Sequence, residues 1–179
     1  MLRRRIQACG LSYPIISYLI PYHISTLNPN RPSGIMEIIR ATNLADQAGA
    51  YYVRIQAMAR KHKIPLHAEF DEHDTPQTKY IVLVDDYLPI ATCRLYAINA
   101  KEVMLGRIVV LPEYRGCGIG TFVVREAEKW AMELGFQTAV VESRDNKTHF
   151  YETMGYKADY SQKIVGDTFT CYRMEKMLM

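Results

Sequence analysis

The chain has 179 residues, 49% of them hydrophobic and 23% charged, which is ordinary for one globular domain with a buried core. The formal net charge of +3 is too small to argue for nucleic-acid binding, although a weakly basic surface suits a polyanionic small molecule. The four cysteines are widely spaced, with neither a C-x-x-C pair nor zinc spacing. They predict reduced thiols in a cytoplasmic protein rather than a disulfide framework or a metal site.

Residues 1–35 predict a poorly structured N-terminal extension, followed by one domain over residues 36–179. Met1–Arg5 is basic and Ile6–Ile24 is moderately apolar, but prolines interrupt the apolar run. The run is too short and broken for a membrane helix, and no cleavage site typical of a signal peptide follows it. A translated upstream extension, a disordered arm and a targeting segment stay open as interpretations.

The first half of the predicted domain contains one long helix and a series of strands. Apolar residues recur at steps of three and four from Leu44 to His62, which predicts a helix that Thr42–Asn43 caps and Pro65 stops. The acidic segment Glu69–Thr75 predicts a loop or short turn. The predicted strands are Met36–Ala41, Tyr80–Val84, Leu88–Ile98 and Glu102–Leu111. Turn residues between the last three strands predict two consecutive hairpins, and therefore an antiparallel part of a sheet.

The second half alternates helices and strands. Apolar spacing predicts a helix from Gly118 to Leu134, ended by Gly135, and a shorter helix from Asn146 to Met154, closed by Gly155. The predicted strands are Gln137–Glu142, Tyr156–Tyr160 and Thr168–Met177. We expect the last two to pair. The fold class is therefore α/β, with a mixed sheet flanked by helices.

The sharpest feature is a glycine-rich loop, Arg115-Gly-Cys-Gly-Ile-Gly120, between a strand and a helix. Glycines let a backbone approach a ligand closely. Free N–H groups at the start of a helix, with the helix dipole behind them, favour an anion such as pyrophosphate. Arg115 adds a positive charge. A turn without a ligand is the alternative, but it would need neither the arginine nor so many small residues.

Three phosphate-loop patterns compete for this segment. A dinucleotide fingerprint needs G-x-G-x-x-G, but Thr121 and Val123 stand where a third glycine belongs. A Walker A loop needs a lysine after its last glycine, and none follows Gly120. The pattern [RQ]-x-x-G-x-[GA] fits at Arg115, Gly118 and Gly120.

With these residues, the sequence resembles the GNAT superfamily of N-acetyltransferases from Met36 to Met179. The segment Ile108–Thr121 resembles the acyl-CoA motif of that family. The segment Asn146–Tyr156 is similar to its terminal motif, in which a polar residue and then a tyrosine precede Gly-Tyr or Gly-Phe.

The resemblance implies a fold and a cofactor site. The sheet would be mixed and mostly antiparallel, splayed at the central strand Glu102–Leu111, with acetyl-CoA as co-substrate in the gap and no metal. A backbone N–H near Val110 would stabilise the oxyanion, and Asn146 would contact the cofactor arm from the opposite wall. The predicted cofactor-binding residues are Ile108, Val109, Val110, Leu111, Arg115, Gly116, Cys117, Gly118, Ile119, Gly120, Thr121 and Asn146.

Acetyl transfer to an amine needs an acceptor for the amine proton and a donor for the leaving thiolate. Tyr151 is the candidate acid, and the alternative is a ring that only packs beside Phe150. Many proteins of this family carry a glutamate on the strand before the glycine loop, where this chain has Gly106. Glu142 on the next strand is therefore the candidate base, with a solvated charge at a strand end as the alternative.

The predicted substrate-binding residues are Arg54, Glu72 and Arg94. The arginines would recognise an anionic group, and structural ion pairs with the acidic segment are the alternative. With Pro65–Asp74, they more weakly resemble a bacterial branch allied to glucosamine-6-phosphate N-acetyltransferases. An amino sugar phosphate is one acceptor that this suggests, and polyamines or protein lysines stay open.

These features predict a cytoplasmic, acetyl-CoA-dependent N-acetyltransferase that acetylates the primary amine of a small molecule by direct attack. We expect no nucleic-acid or membrane partner, and a homodimer is kept as an option. The rival from another class is a non-catalytic acyl-CoA-binding or sensor protein, which the absent strand glutamate favours and Tyr151 disfavours. A third hypothesis is an unrelated α/β interaction domain.

Overall fold

A computed structural model describes residues 18–19, 36–166 and 169–179. The predicted poorly structured extension over residues 1–35 lies outside this range except for Tyr18–Leu19, a short strand that pairs with Glu37 and Ile38. The prediction for the extension therefore stays a prediction. No helix within the described ranges combines the length and the apolar character that crossing a membrane requires.

The described residues form one sheet of eight strands in the order β1-β2-β3-β4-β5-β6-β8-β7. The strands are β1 (Tyr18–Leu19), β2 (Met36–Ala41), β3 (Lys79–Asp85), β4 (Leu88–Ala97), β5 (Glu102–Val110), β6 (Thr138–Arg144), β7 (Lys157–Val165) and β8 (Thr170–Met177). Every neighbouring pair is antiparallel except β5 with β6, which is parallel. The predicted hairpins, the closing strand pair and the mixed, mostly antiparallel sheet are confirmed.

The helices are α1 (Leu44–Arg54), α2 (Arg60–His62), α3 (Leu66–Glu69), α4 (Ile119–Glu133) and α5 (Thr148–Glu152). The predicted helix from Leu44 to His62 is confirmed in extent, and the side chain of Asn43 caps it by accepting the N–H of Asp46 at 3.0 Å. The periodicity did not reveal that Ile55–Ala59 is a π-helical turn joining α1 to α2, nor the single turn α3. Gly135, with φ of +92°, ends α4 as predicted.

Helices α1 and α4 cover opposite faces of the sheet. Side chains alternate along β3, so that Tyr80 and Val82 lie on one face while Ile81 lies on the other. Ala50 of α1 packs with Tyr80 and Val82, whereas Val123 of α4 belongs to the cluster around Ile81. We call the face that carries Tyr80 the α1 face.

The sheet opens between β5 and β6. The two strands are paired from Glu102 with Thr138 only as far as Met104 with Val140. Beyond that point β6 continues to Arg144, paired only with β8. We call the space between the diverging ends of β5 and β6 the open gap. This divergence is the splay at the central strand that the family resemblance implies.

Candidate active site

The open gap leaves one edge of β5 without a neighbouring strand. Leu111 donates its backbone N–H to the carbonyl of Ile90 at 2.9 Å, and Val110 lies opposite Ala91. Because backbone groups alternate along an antiparallel ladder, the N–H and C=O of Val110 point away from β4 and into the gap. The Nε of Arg115 reaches that carbonyl at 2.9 Å, which agrees with this direction. The edge is therefore suited to pairing with an extended ligand.

The glycine loop connects β5 to α4 through left-handed backbone conformations. Gly116 and Gly118 have φ of +79° and +75°, and a Cβ atom at either residue would project into open space. Across the described part of the chain, the N–H groups of residues 116–121 have no hydrogen-bond acceptor. Unpaired donors at a helix start, the helix dipole and open space above the glycines fit a diphosphate.

Helix α5 is attached to the start of α4 by an aromatic contact. A Cβ atom at Gly120 would lie 3.3 Å from the ring of Phe150, so the glycine permits this close approach. The ring of Tyr151 packs edge-on against both Phe150, at 5.0 Å, and Tyr156, at 5.7 Å. Tyr151 thus lies beside the helix that begins at the glycine loop.

The hydroxyl of Tyr151 differs from that of its neighbour Tyr156. Within the described residues the Tyr151 hydroxyl makes no hydrogen bond, yet it is not sealed from solvent, whereas the Tyr156 hydroxyl is fully buried without a geometrically acceptable partner. Burial, and secondarily the nearby Cys93 thiol, raises the pKa of Tyr151 above its ordinary value. Tyr151 is therefore neutral at physiological pH.

Glu142 lies across the open gap from Gly106. Continuing the register from Met104 and Val140 by two residues brings Gly106 level with Glu142, and both belong to the α1 face. Apart from its chain neighbours, a Cβ atom at Gly106 would meet nothing closer than Met104 Cγ, at 3.9 Å. Arg173 lies opposite Glu142 on β8, but its guanidinium contacts Glu175 at 2.8 Å. The exposed Glu142 carboxylate has no ion pair with any described residue.

Beside the gap, the α1 face contains a buried ion-pair network. Arg54 Nε donates to Glu69 Oε1 at 2.9 Å, and its terminal nitrogens contact both carboxylate oxygens of Asp74 at 2.6 and 3.1 Å. Tyr80 also hydrogen-bonds to Asp74. Burial opposes ionisation of Asp74, but the bonds from Arg54 and Tyr80 outweigh it and hold the pKa of Asp74 far below its usual value.

The network continues to the rim of the gap. Arg94 binds both oxygens of Asp71, at 2.6 and 2.9 Å, and Arg107 donates to the same carboxylate at 2.8 Å. Arg107 has φ of +49° where β5 bulges relative to β4. The bulge adds one residue to β5, so that Val109 faces α1 and Val110 the opposite side. Asp71 therefore ties the acidic segment to the strand that borders the gap.

The chain was compared with known proteins. The sequence model of the Acetyltransferase (GNAT) family matches residues 42–156. The chain belongs to the GNAT family. It is 32% identical over 111 residues to an uncharacterized acetyltransferase of Streptococcus pyogenes serotype M1, covering 62% of this chain and 78% of that protein.

Two solved structures resemble this GNAT enzyme. One, from Lactobacillus plantarum and named for N-acetyltransferase activity, is 32% identical with a TM-score of 0.76, covering 80% of this chain and 99% of that one. An acyl-CoA N-acyltransferase from Pseudomonas aeruginosa is 19% identical with a TM-score of 0.69, covering 80% and 99%, and shows the shared fold. The chain is therefore an acetyl-CoA-dependent acyltransferase, with acetyl-CoA as co-substrate.

Two predicted substrate-binding residues of this GNAT enzyme need correction. Arg54 has no exposed surface, and Arg94 is 4% exposed with both terminal nitrogens bound to carboxylates. They form the structural ion pairs that were the alternative interpretation, and they support the site from inside instead of contacting a ligand. Glu72 is exposed and lines a pocket of about 380 Å³ near Val103, at the end of β5 remote from the glycine loop.

The predicted cofactor-binding residues lie on two sides of the gap, one formed by β5 with the glycine loop and the other by the end of β6. The residues from Ile108 to Thr121 form the strand edge and loop described above, and Asn146 lies exposed just after β6. Cys117, whose Sγ lies 3.6 Å from the carbonyl oxygen of Arg115, is a small loop residue. Among the described residues, no cluster of His, Cys, Asp and Glu side chains is arranged to hold a metal ion.

Two residues at the gap were missed by sequence reasoning. Arg107 occupies a bulge, which no turn residue announces, because bulges depend on the register of the partner strand. Arg144 was missed because β6 was expected to end at Glu142, whereas the strand continues two residues further. Alternation from Glu142 would have placed Arg144 on the same face, had the strand been extended.

Proposed function

We propose that this enzyme acetylates the primary amine of a small molecule by direct attack on acetyl-CoA, with Glu142 accepting the amine proton and Tyr151 protonating the leaving thiolate. The observation that carries the proposal is the Glu142 carboxylate, which faces Gly106 across the open gap and forms no ion pair with any described residue. A strand edge and a diphosphate-compatible loop border the same gap. The acetyl thioester supplies the electrophilic carbonyl.

The residues that hold the co-substrate are those of the edge and the loop. The N–H groups from Gly116 to Thr121 would bind the diphosphate, and Arg115 would leave the carbonyl of Val110 to join them. That carbonyl and the adjacent N–H would then pair with the pantetheine arm, while Asn146 contacts the arm from the β6 side. A backbone N–H near Val110 would stabilise the oxyanion.

Glu142 takes the place of a base on β5. A carboxylate on β6, level with Gly106, would reach into the gap from the opposite wall. Because no described residue pairs with Glu142, its oxygens stay available for an amine proton, directly or through a water molecule. Glu72 would attract a cationic part of the acceptor at the far end of β5.

Tyr151 suits the role of acid. Burial raises the pKa of Tyr151 and so makes proton donation harder, but the same desolvation raises the basicity of the leaving thiolate, which allows the transfer. Because single donors of this kind contribute about 10²- to 10⁴-fold in rate, removal of the hydroxyl should slow the reaction without abolishing it.

A non-catalytic acyl-CoA sensor is the second candidate, and the absence of a carboxylate at Gly106 favours it. Release of free CoA thiol, measured across a panel of primary amines, separates the two functions. Turnover with an amine supports the transferase, whereas tight CoA binding without turnover for any amine supports the sensor. Tyr151→Phe should lower kcat with an unchanged Kd for CoA, while Tyr87→Phe, at an exposed position, should change neither.

The cytoplasmic location and the homodimer stay predictions. Cys93, Cys117 and Cys171 are free thiols, which supports a reducing, cytoplasmic environment. A homodimer is retained as an option that measurement of the solution mass would decide.

A further inference from the structure

Arg144 is a half-buried cation at the open end of the gap. Its Nη2 lies 3.3 Å from Met58 Sδ in the π-helical turn, and its Cζ lies 3.4 Å from the centroid of the Phe169 ring. Burial lowers the pKa of Arg144, and Cys171 and Glu69 partly oppose this effect, although Glu69 is already bound to Arg54. No described carboxylate forms an ion pair with Arg144.

The other arginines near Arg144 on the α1 face already form ion pairs with carboxylates. Arg54, Arg94 and Arg107 bind the carboxylates of the acidic segment. Arg173 contacts Glu175 at 2.8 Å and Glu102 at 3.8 Å. Since partial burial of a charge without a counter-charge is costly, an arginine that pairs with no described carboxylate beside an open gap is suited to receive an anion.

The position of Arg144 relative to Glu142 indicates which substrate would carry an anion that binds to Arg144. The two residues alternate on β6, so they share the α1 face and their Cα atoms are about 6.6 Å apart. The glycine loop opens into α4, which covers the opposite face. The face shared with Glu142 places an anion at Arg144 on the acceptor side, while Arg115 of the glycine loop is close enough to lower the pKa of Arg144.

The guanidinium of Arg144 is also preorganised. The position of Cζ over the Phe169 ring and the contact of Nη2 with Met58 Sδ restrain the guanidinium, while its remaining N–H groups can form a two-point contact with a carboxylate or phosphate. A neutral acceptor would leave those donors unmatched in a partly desolvated site.

We propose that Arg144 is a specificity-determining residue that binds an anionic group of the acceptor, which is therefore a compact primary amine that also carries a carboxylate or a phosphate. This inference rests on the proposed acetyl transfer at Glu142. The amine would lie at Glu142 and the anion at Arg144, two residues further along the same strand.

The test uses matched acceptor pairs and thiol release. The pairs are L-amino acids with their carboxamides, O-phosphoethanolamine with ethanolamine, and glucosamine 6-phosphate with glucosamine. We expect the wild-type enzyme to favour at least one anionic member by about 10- to 100-fold in kcat/KM, as a charge-assisted hydrogen bond allows. The amino-acid and phosphate pairs distinguish the two anions.

Substitutions at Arg144 test whether this residue causes the preference for anionic acceptors. Arg144→Gln should bring the ratio near unity through KM of the anionic member, with the neutral member and the Kd for CoA nearly unchanged. Arg144→Lys should retain part of the ratio, because it keeps the charge but loses the planar fork. Arg60→Gln is the charge-matched control, since Arg60 contacts only the side chain of Gln56 among the described residues. It should keep the wild-type ratio.

The experiment distinguishes failure of this inference from failure of the proposed function. Turnover with equal preference for both members of every pair overturns this inference alone. So does an Arg144→Gln variant that loses CoA affinity while keeping the anionic preference, because the anion would then belong to the co-substrate. Absence of turnover with every amine overturns the proposed function, and this inference with it.

Discussion

Arg54 and Asp74 form a two-point ion pair in which Nη1 lies 2.6 Å from Oδ1 and Nη2 lies 3.1 Å from Oδ2. Arg54 has no exposed surface. Removal of one partner from a buried pair costs about 3–5 kcal/mol, because it leaves the other charge unpaired. We expect Arg54→Gln to lower the free energy of unfolding by this amount, measured by urea denaturation.

Arg60→Gln removes the same kind of charge from the surface. Arg60 is exposed and contacts the side-chain oxygen of Gln56 at 3.3 Å. This control should change stability by less than about 0.5 kcal/mol. Equal effects of the two substitutions would mean that burial of the Arg54 network does not contribute to stability as argued.

The same network predicts sensitivity to acid. Despite their burial, Asp71 and Asp74 have pKa values held below the usual range by bonds from Arg94 and from Arg54 with Tyr80. A carboxylate whose pKa is lower in the folded than in the unfolded chain adds stability above the unfolded pKa. That stability is lost as pH falls below about 4 and through the folded pKa.

The measurement is the urea midpoint between pH 7 and pH 2.5. Wild type should lose stability steeply below about pH 4. Asp74→Asn should be less stable at pH 7 but should show a shallower decline in acid, because one of the shifted carboxyl groups is gone. Parallel declines in the two proteins would show that Asp74 does not carry the acid sensitivity.

Two glycines at the two ends of α4, Gly118 in the glycine loop and Gly135 after the helix, offer a matched pair of substitutions. Gly118 and Gly135 have φ of +75° and +92°, and a Cβ atom at either would meet nothing within 4 Å. Alanine at either position should therefore cost about 1–2 kcal/mol of stability. Only Gly118→Ala places its methyl group where a diphosphate would bind.

Binding of CoA, measured by titration calorimetry, separates strain from ligand contact. We expect Gly118→Ala to weaken CoA binding by about tenfold or more, and Gly135→Ala to leave it unchanged. If both variants lost affinity equally, the effect would come from strain in α4. If neither did, the diphosphate would bind elsewhere.

Much of the fold follows from local patterns in the sequence. The apolar spacing of α4 and the apolar run Tyr80–Val84 before the Asp85-Asp86 turn specify their elements directly, because each depends on a few neighbouring residues. The glycine loop was equally visible, since left-handed backbone of the kind found at Gly116 and Gly118 favours glycine.

The remainder depends on contacts between distant residues. The sequence could not decide whether Arg54 contacts a ligand or forms buried ion pairs, because Glu69 and Asp74 reach it only after α3 and the acidic segment fold back onto α1. The partner of Glu142 across the gap is likewise fixed by the β5–β6 register, which local patterns leave open.

That register gives the sharpest test of the base. A Cβ atom at Gly106 would lie 3.9 Å from Met104 Cγ, an ordinary contact, so a longer side chain can point into the gap. Arg94 lies opposite Gly106, but its terminal nitrogens are bound to Asp71 and Asp74. The buried Arg94 Nε has no hydrogen-bond partner, so a glutamate introduced at Gly106 would be shared between this donor and the gap, and only part of its capacity to accept a proton would be available.

We expect Glu142→Gln to lower kcat by about 10²- to 10⁴-fold with an unchanged Kd for CoA. Gly106→Glu in the Glu142→Gln background should restore part of that loss, because a carboxylate then faces the gap from β5. Gly106→Gln in the same background has nearly the same volume without the carboxylate and should restore nothing. Equal restoration by both substitutions, or full activity of Glu142→Gln alone, would remove Glu142 from the role of base, since neither result requires a carboxylate at this level of the gap.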